Sequence, residues 1–498
     1  MLWEHEVSAA VSHRRRATTG SHNAHSITAQ HAQQYAMRLL KFALLAAATD
    51  ALRTNRRAVL RQASAGTLMV NLPFQLPSIG RAAGPATNEV VGTVNGIRRK
   101  RLGGSDIVVS EVGLGTQRWG GADFNSPDRE LCHKLLDRGV LEGGINLIDT
   151  AEQYPIPSSR DKPEGATEEI IGSWLAGGKG RRDKVVLASK ITGGRNVNKR
   201  TLISDCEGSL RRLGVDALDV YLLHWPARYT PQSNWGQSLE YDWDLGQRAV
   251  PSAASFREIV GAMGELLKAG KIRGYGACND NSVGLMGMHA AARELGVPPP
   301  CAMENDYSLV NRRVEENGLS EASSPAICNA GFLAYNVLAG GMLTGKYGLF
   351  LGEKTDPPAV DDPDRERATR NNQKPRGRMD TRGWGNTLGR YRTTAARSAM
   401  KNYARLADEY GLKGGTTELA LRFCAGRGAV SSSLVGHTSL AQLDATVAAF
   451  KGAAKGPLPT QLRWEIDRVH LQNRLPLFSN DEAQSDWLGE GFIGERIP

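Results

Sequence analysis

The chain has 498 residues, 40% of them hydrophobic and 23% charged, with a formal net charge of +10. These values are ordinary for a globular protein, and the charge does not indicate a nucleic-acid partner. Ten basic and four acidic residues lie ahead of Arg98, so most of the excess sits at one end, and no stretch interleaves aromatics with Arg as a base-stacking surface would. The six cysteines are scattered, with no CxxC pair and no His at zinc-ligand spacing, which implies free thiols and no metal.

Residues 1–97 show little periodicity and are rich in Ala, Ser, Thr and Arg. This is the composition of a disordered targeting extension, with a plastid as the expected destination and mitochondrion or cytoplasm as alternatives. Inside it, Met37 opens MRLLKFALLAAATDA in the manner of a secretory signal, and NRRAVLR with QASAGTLMV resembles a twin-arginine or second plastid signal. An over-long gene start, with Met37 as the true first residue, is the competing reading. The apolar run is shorter than the ~20 residues a bilayer span needs, so no membrane span is expected. The early histidines, His5, His13, His22, His25 and His31, lie in polar low-complexity sequence that fits disorder better than metal binding.

From Ile97 the pattern turns regular. RRKRL and IVVSEV around Gly103-Gly104 predict a hairpin of the kind that closes the bottom of a barrel. Strand-like and helix-like runs then alternate: VGLGT with DRELCHKLLDRGVLEG, INLID with TEEIIGSWLAGG, VVLASK with KRTLISDCEGSLRRLG, and DVYLLH with SFREIVGAMGELLKAG. IRGYGAC precedes SVGLMGMHAAARELG, CAMEND precedes EENGLSEASS, FLAYNVL precedes AARSAMKNYARLADEYG beyond a long insertion, and VSSSLVG precedes LAQLDATVAAFK. Eight such units predict an α/β fold, a (β/α)8 TIM barrel over 98–478, with a tail from 479 to 498. Two interruptions stand out. Residues 228–255, rich in Trp, Tyr and Asp, follow His224 and are expected to shape a pocket. Residues 348–392, rich in Pro, Asp, Arg, Asn and Gly, read either as a cover over the mouth or as a surface insertion.

Asp149, Tyr154, Lys190 and His224 fall at or just past the ends of three successive strand-like runs. In a barrel those ends meet on one face, so the four residues converge. A lysine ammonium beside a phenol stabilises the phenolate and draws its pKa down from about 10 towards working pH. Asp149 then holds the ammonium, and His224 orients a carbonyl or assists the proton transfer. Taken singly, each has a structural reading: a cap, a packed ring, a solvated amine, a core histidine.

The segments NLIDTAEQYP, VVLASK and DVYLLHWP, with this ordered tetrad, resemble the aldo-keto reductase family, its bacterial Tas-type branch in particular. The resemblance runs from Arg98 to about His470 and takes in GELLKAGKIRGYGACN, NDYSLVNR, LAYNVLAGGMLTGKY and SLVGHTSLAQLDATV. It implies NADPH-dependent reduction of an aldehyde or ketone to an alcohol, with Tyr154 as general acid. A cofactor-binding regulatory module like a potassium-channel β subunit, which shares the fold, is the alternative. The substrate and oligomeric state are not given by the sequence.

No Rossmann fingerprint is present, since Gly113-Leu114-Gly115 reaches Arg118 where a third glycine is required. Gly340 to Lys346 spells a phosphate loop, but Tyr347 takes the Ser/Thr position. The resemblance implies another route to NADP(H): Thr116, Cys278, Asn279 and Glu304 near the nicotinamide, with Tyr335 stacked on its ring. Leu338, Gly340 and Lys346 would line the pyrophosphate, and Gly436, Thr438 and Gln442 the adenosine end. Cys278, Glu304 and Thr446 replace the family's usual Ser, Gln and Asn, and the Glu matters most because an ionised carboxylate only accepts. The late loop has His437 and Thr438 but no Arg to clamp a 2′-phosphate, so only a modest preference for NADP over NAD is expected.

Overall fold

The computed structural model of the chain describes residues 84–122, 125–231, 241–249, 253–347, 378, 391, 393–472 and 474. The address-like stretch up to residue 83, most of the 348–392 insertion and the 479–498 tail lie outside them.

Three short antiparallel strands come first: β1 (Val90–Val94), β2 (Ile97–Arg101) and β3 (Val108–Ser110). The β2–β3 hairpin is the one expected around Gly103. That glycine has φ 63°, and a Cβ there would come within 2.5 Å of the Cys301 carbonyl oxygen. β1 is a correction to the boundary at 97/98, because Val90–Val94 pairs with β2 through an Asn95-Gly96 turn at φ 50° and 82°. Asn-Gly supplies the two positive φ values that a tight hairpin needs, so the ordered unit starts ahead of Arg98.

The next eight strands are parallel and close into a barrel: β4 (Val112–Gly115), β5 (Leu147–Asp149), β6 (Val186–Ile191), β7 (Leu218–Leu223), β8 (Ile272–Cys278), β9 (Ala302–Asp306), β10 (Gly331–Tyr335) and β11 (Val430–Val435). Each pairs with its sequence neighbour, and β11 pairs with β4. All eight expected units are present. The helices of more than one turn that follow β4 to β8 are α1 (Arg129–Leu136), α2 (Ala166–Ala176), α3 (Lys199–Leu213), α4 (Trp243–Ala249), α5 (Phe256–Lys268) and α6 (Ser282–Leu295). Two single turns, α7 (Arg313–Glu316) and α8 (Leu319–Ala322), precede α9 (Thr394–Glu409), α10 (Gly415–Ala425), α11 (Leu440–Lys455) and α12 (Thr460–Gln472). α10 and α12 were not anticipated by the unit count. Helix starts are set by side chains accepting from the first free amides: Asn198 in a capping box before α3, Ser255 before α5, Asn281 before α6 and Ser439 before α11.

Two apolar layers position the site. Leu285, Met288 and Ala292 of α6, at helical spacing, join the layer between helices and sheet. Inside the barrel, Leu102, Ile107 and Val109 of the hairpin pack on Leu147, Ala188, Val220 and Leu333. Burying each of the Leu, Ile, Val and Met side chains stabilises by roughly 1.5–3 kcal/mol. The hairpin thus fills the lower half of the barrel and leaves polar chemistry to the other end. All six cysteines are free and buried, as expected of thiols. No helix among the described residues is long and apolar enough to cross a membrane.

Candidate active site

Strand periodicity decides which side chains reach the barrel axis. On β6, Val186 and Ala188 belong to the inner cluster while Leu187 and Ile191 join the outer one, so Lys190 points inward. The same alternation after Leu147, Leu222, Ala302 and Leu333 turns Asp149, His224, Glu304 and Tyr335 inward at the strand ends. Asp149, His224, Glu304 and Tyr335, with Tyr154 from the loop after β5, line a cavity of about 600 Å³, and Lys190 is fully buried against Asp149.

Lys190 has no exposed surface. Its Nζ contacts Asp149 Oδ1, donates to the Thr150 carbonyl at 3.0 Å, lies 3.4 Å from Glu304 Oε1 and 5.3 Å from the centre of the Tyr154 ring. Tyr154 meets the His224 ring edge-on at 5.7 Å. Burial opposes the Lys190 charge, but Asp149 and Glu304 outweigh it and hold the amine well above its ordinary value, so it is an ammonium. Burial, with Lys190 adding to it, holds His224 well below the usual histidine value, so the ring is neutral, and its Nδ1 is buried without a hydrogen-bond partner.

The expectation that Lys190 draws Tyr154 down towards working pH is corrected. Burial pushes the phenol up, Lys190 pulls it down, and Asp149 and Glu304 push it up again, for a net rise. The physical reason is burial first, which disfavours the phenolate by more than the ammonium favours it, with Asp149 offsetting part of the ammonium's pull. The hydroxyl is therefore protonated at neutral pH, the state a proton donor requires.

The other residues singled out in the sequence all reach the same cavity. Thr116, just after β4, donates from Oγ1 to the Asp149 carbonyl at 2.8 Å and pins that strand end. Asn279, at φ 55°, is already engaged: Nδ2 donates to the His224 carbonyl at 3.0 Å, and Oδ1 accepts from the Tyr335 hydroxyl at 2.6 Å. The Tyr335 ring is therefore fixed before any ligand enters. Cys278 places its thiol 3.7 Å from Glu304 Oε1. Leu338 precedes and Gly340 lies within a 3-10 stretch, Ala339–Thr344, where the Gly340 amide donates to Asn336 Oδ1 at 2.8 Å. Lys346 follows with its Nζ 5.1 Å from the Tyr347 ring centre. Gly436, Thr438 and Gln442 surround the start of α11, where the Gln442 side chain accepts from the Thr438 amide at 2.8 Å. An exposed helix start beside a cavity favours an anion.

The sequence did not single out several wall residues. Gln117 and Trp119 follow Thr116 at the end of β4, and Trp225 follows His224; strand-end position alone would have found them. Arg378 also lines the cavity and donates to Gln117 Oε1 at 3.2 Å, from an insertion with no pattern to reveal it. This supplies an arginine that the late loop lacks. None of the described residues in 228–255 lines the cavity; Arg228 instead pairs with Asp280, and Tyr229 packs on Tyr241. That part of the chain was expected to shape the pocket, but its described side chains are spent on one another and on the α6 cap.

Comparison with known proteins places the chain in a family. The aldo/keto reductase family pattern matches residues 111–455. The chain is 33% identical over 358 residues, 70% of its own length and 91% of the relative's, to Protein tas of Escherichia coli. It is 28% identical to an aldo-keto reductase of Babesia bovis, over 59% of this chain and 98% of that one. It is 31% identical to the aldo-keto reductase YhdN of Bacillus subtilis, over 48% of this chain and 62% of the other. A barrel, a strand-end tetrad and a family match spanning most of the barrel lead to one conclusion: the chain belongs to the aldo/keto reductase family, and it is an oxidoreductase dependent on a nicotinamide cofactor.

Proposed function

We propose that the protein reduces an aldehyde or ketone to an alcohol with NADPH, and that Tyr154 donates the proton. The observation that carries this reading is a protonated phenol, buried beside an ammonium and a neutral imidazole, at the base of a cavity large enough for a small organic substrate. The cavity suits a dinucleotide as well. Two buried polar atoms, His224 Nδ1 and Glu304 Oε2, lack partners in the protein, and cationic side chains, Lys346 and Arg378, lie on the wall.

A nicotinamide, when bound, would supply the hydride. Everything else falls to the chain. Tyr154 gives its phenolic proton to the carbonyl oxygen as charge builds there, and Lys190 steadies the phenolate left behind. Asp149 keeps Lys190 charged and aimed. The neutral His224 can donate one N–H to the same oxygen without adding a charge. Trp119 and Trp225 exclude water from the reacting centre. NADP is preferred over NAD because Arg378 offers a guanidinium suited to phosphate.

Replacing Tyr154 by Phe tests the assignment, since it removes only the hydroxyl. Turnover of a carbonyl panel, followed by NADPH consumption, falls by roughly 10²-fold or more. Cofactor binding, read by protein fluorescence, is retained. A Phe variant with the parental rate would sink the reading.

A further inference from the structure

Lys190 faces two carboxylates with charge enough for one. Asp149 holds the contact to Nζ, and Glu304 Oε1 lies 3.4 Å away. All three side chains are almost fully buried, at 0%, 5% and 2% exposure for Lys190, Asp149 and Glu304. Glu304 Oε2 is buried and accepts no hydrogen bond from the protein. Around the same point stand Tyr154, the neutral His224, and Cys278 beside Glu304 on the neighbouring strand, its thiol pushed well above the usual range by burial and then by Glu304. Only Asp149 and Lys190 therefore bring charge to Glu304. Were both acids ionised, the buried cluster would carry a net negative charge with little solvent to spread it, and a low-dielectric site resists that by retaining a proton. Asp149 has the closer ammonium, so the proton belongs to Glu304.

We propose that Glu304 is a positioning residue which carries a proton, shares it with Asp149, and so keeps the charge beneath Tyr154 at zero. The consequence for the reaction rests on Tyr154 being the proton donor; the protonation of Glu304 does not. Loss of that proton puts a second negative charge near the phenol and holds the phenolic proton more tightly. Carbonyl reduction uses the protonated phenol and is left with its donor. Alcohol oxidation needs the phenolate as base and is suppressed. Burial first, and then Asp149, raise the Glu304 carboxyl to about 8 against the pull of Lys190, so the transition falls just above neutrality. With glutamine at this position no such transition exists, because the amide is neutral at every working pH.

The full-length protein without cofactor is examined by infrared spectroscopy across the range from about pH 6 to 10, bracketing the Glu304 value of about 8. The wild type shows the carbonyl band of a buried carboxylic acid at neutral pH and loses it as pH rises through that value, and Glu304→Gln lacks the band throughout. No such band in the wild type, or an unchanged band in Glu304→Gln, overturns the proposal. Should the variant fail to fold, the wild-type titration decides alone. In a second measurement, kcat for alcohol oxidation at alkaline pH rises about tenfold in Glu304→Gln with little change in alcohol KM, the scale of one charge removed at short range. Parallel oxidation profiles in the two proteins count against the coupling to Tyr154. The band persists in Tyr154→Phe; if that variant also reduced carbonyls normally, the proton-donor reading would fail while the protonated Glu304 remained.

Discussion

The two ends of the barrel bury carboxylates in opposite ways. At the start of β7, Asp219 accepts from the Leu187 amide at 2.8 Å and is flanked by Arg182 at 2.8 Å and Arg273 at 2.6 Å. Two guanidinium groups and a backbone N–H serve one acid, and both arginines extend to solvent. At the strand ends, one sealed ammonium serves two acids, and a carboxylate oxygen and an imidazole nitrogen go unmet. Charge at the lower end is settled by surplus donors and water. At the upper end it is left open, which is what a site must do if a ligand is to complete it.

Breaking the lower end should cost stability and spare chemistry. Asp219→Ala strips the partner from two arginines and leaves the Leu187 amide unsatisfied. The expected loss is about 2–4 kcal/mol, below the range for a fully buried pair because the arginines keep contact with water. Urea unfolding reads the loss, while turnover per folded molecule is unchanged. Full stability with lost turnover would erase the distinction between the ends.

Arg378→Ala sharpens the contrast from the other side, since its cation enters the upper end from outside the barrel strands. A charge-assisted contact contributes about 1.5–3 kcal/mol, so NADPH affinity falls by roughly tenfold or more while NADH affinity changes little. Fluorescence titration of both cofactors at matched salt is the check. Equal losses for the two would move Arg378 away from the phosphate that distinguishes them.

The barrel was legible because its signal is repetitive: period-two strands with helical runs between them, eight times over. The tetrad was legible because strand ends are positions, and Asp149, Lys190 and His224 could be placed by counting. What escaped depends on distances between strands. Glu304 read as a lost hydrogen-bond donor; its nearness to Lys190 exists only once β6 and β9 face one axis, and the burial that reverses the expected direction for Tyr154 exists only in the folded barrel. β1 escaped because Asn95-Gly96 was absorbed into an extension judged by composition. Arg378 escaped because its neighbours have no periodicity from which direction could be inferred.

The smallest effect expected concerns pH, where the upper end should leave opposite traces on stability. His437 lines the cavity, shares Nε2 with Thr446 Oγ1 at 3.0 Å, and has an Nδ1 without a partner. Burial drags it to about 4 from 6.5. Its folded form is neutral, so its contribution is present above about 6.5 and is lost as pH falls towards 4. Glu304 works the other way: raised from 4.5 to about 8, it contributes fully below the lower value and its contribution disappears as pH rises through the upper one. Stability is thus squeezed from both sides. His437→Gln removes one titrating group from the acid limb, which lowers the pH slope of unfolding free energy by at most about 1.4 kcal/mol per pH unit. His224, also neutral by burial, keeps the limb from vanishing. Urea midpoints of wild type and His437→Gln between about pH 4.5 and 7 give the comparison, with Glu304→Gln as the matching probe of the alkaline side. An acid slope unaltered by the His437 change would mean that its ring gains a proton without cost, and that this part of the cavity is wetter than its burial implies.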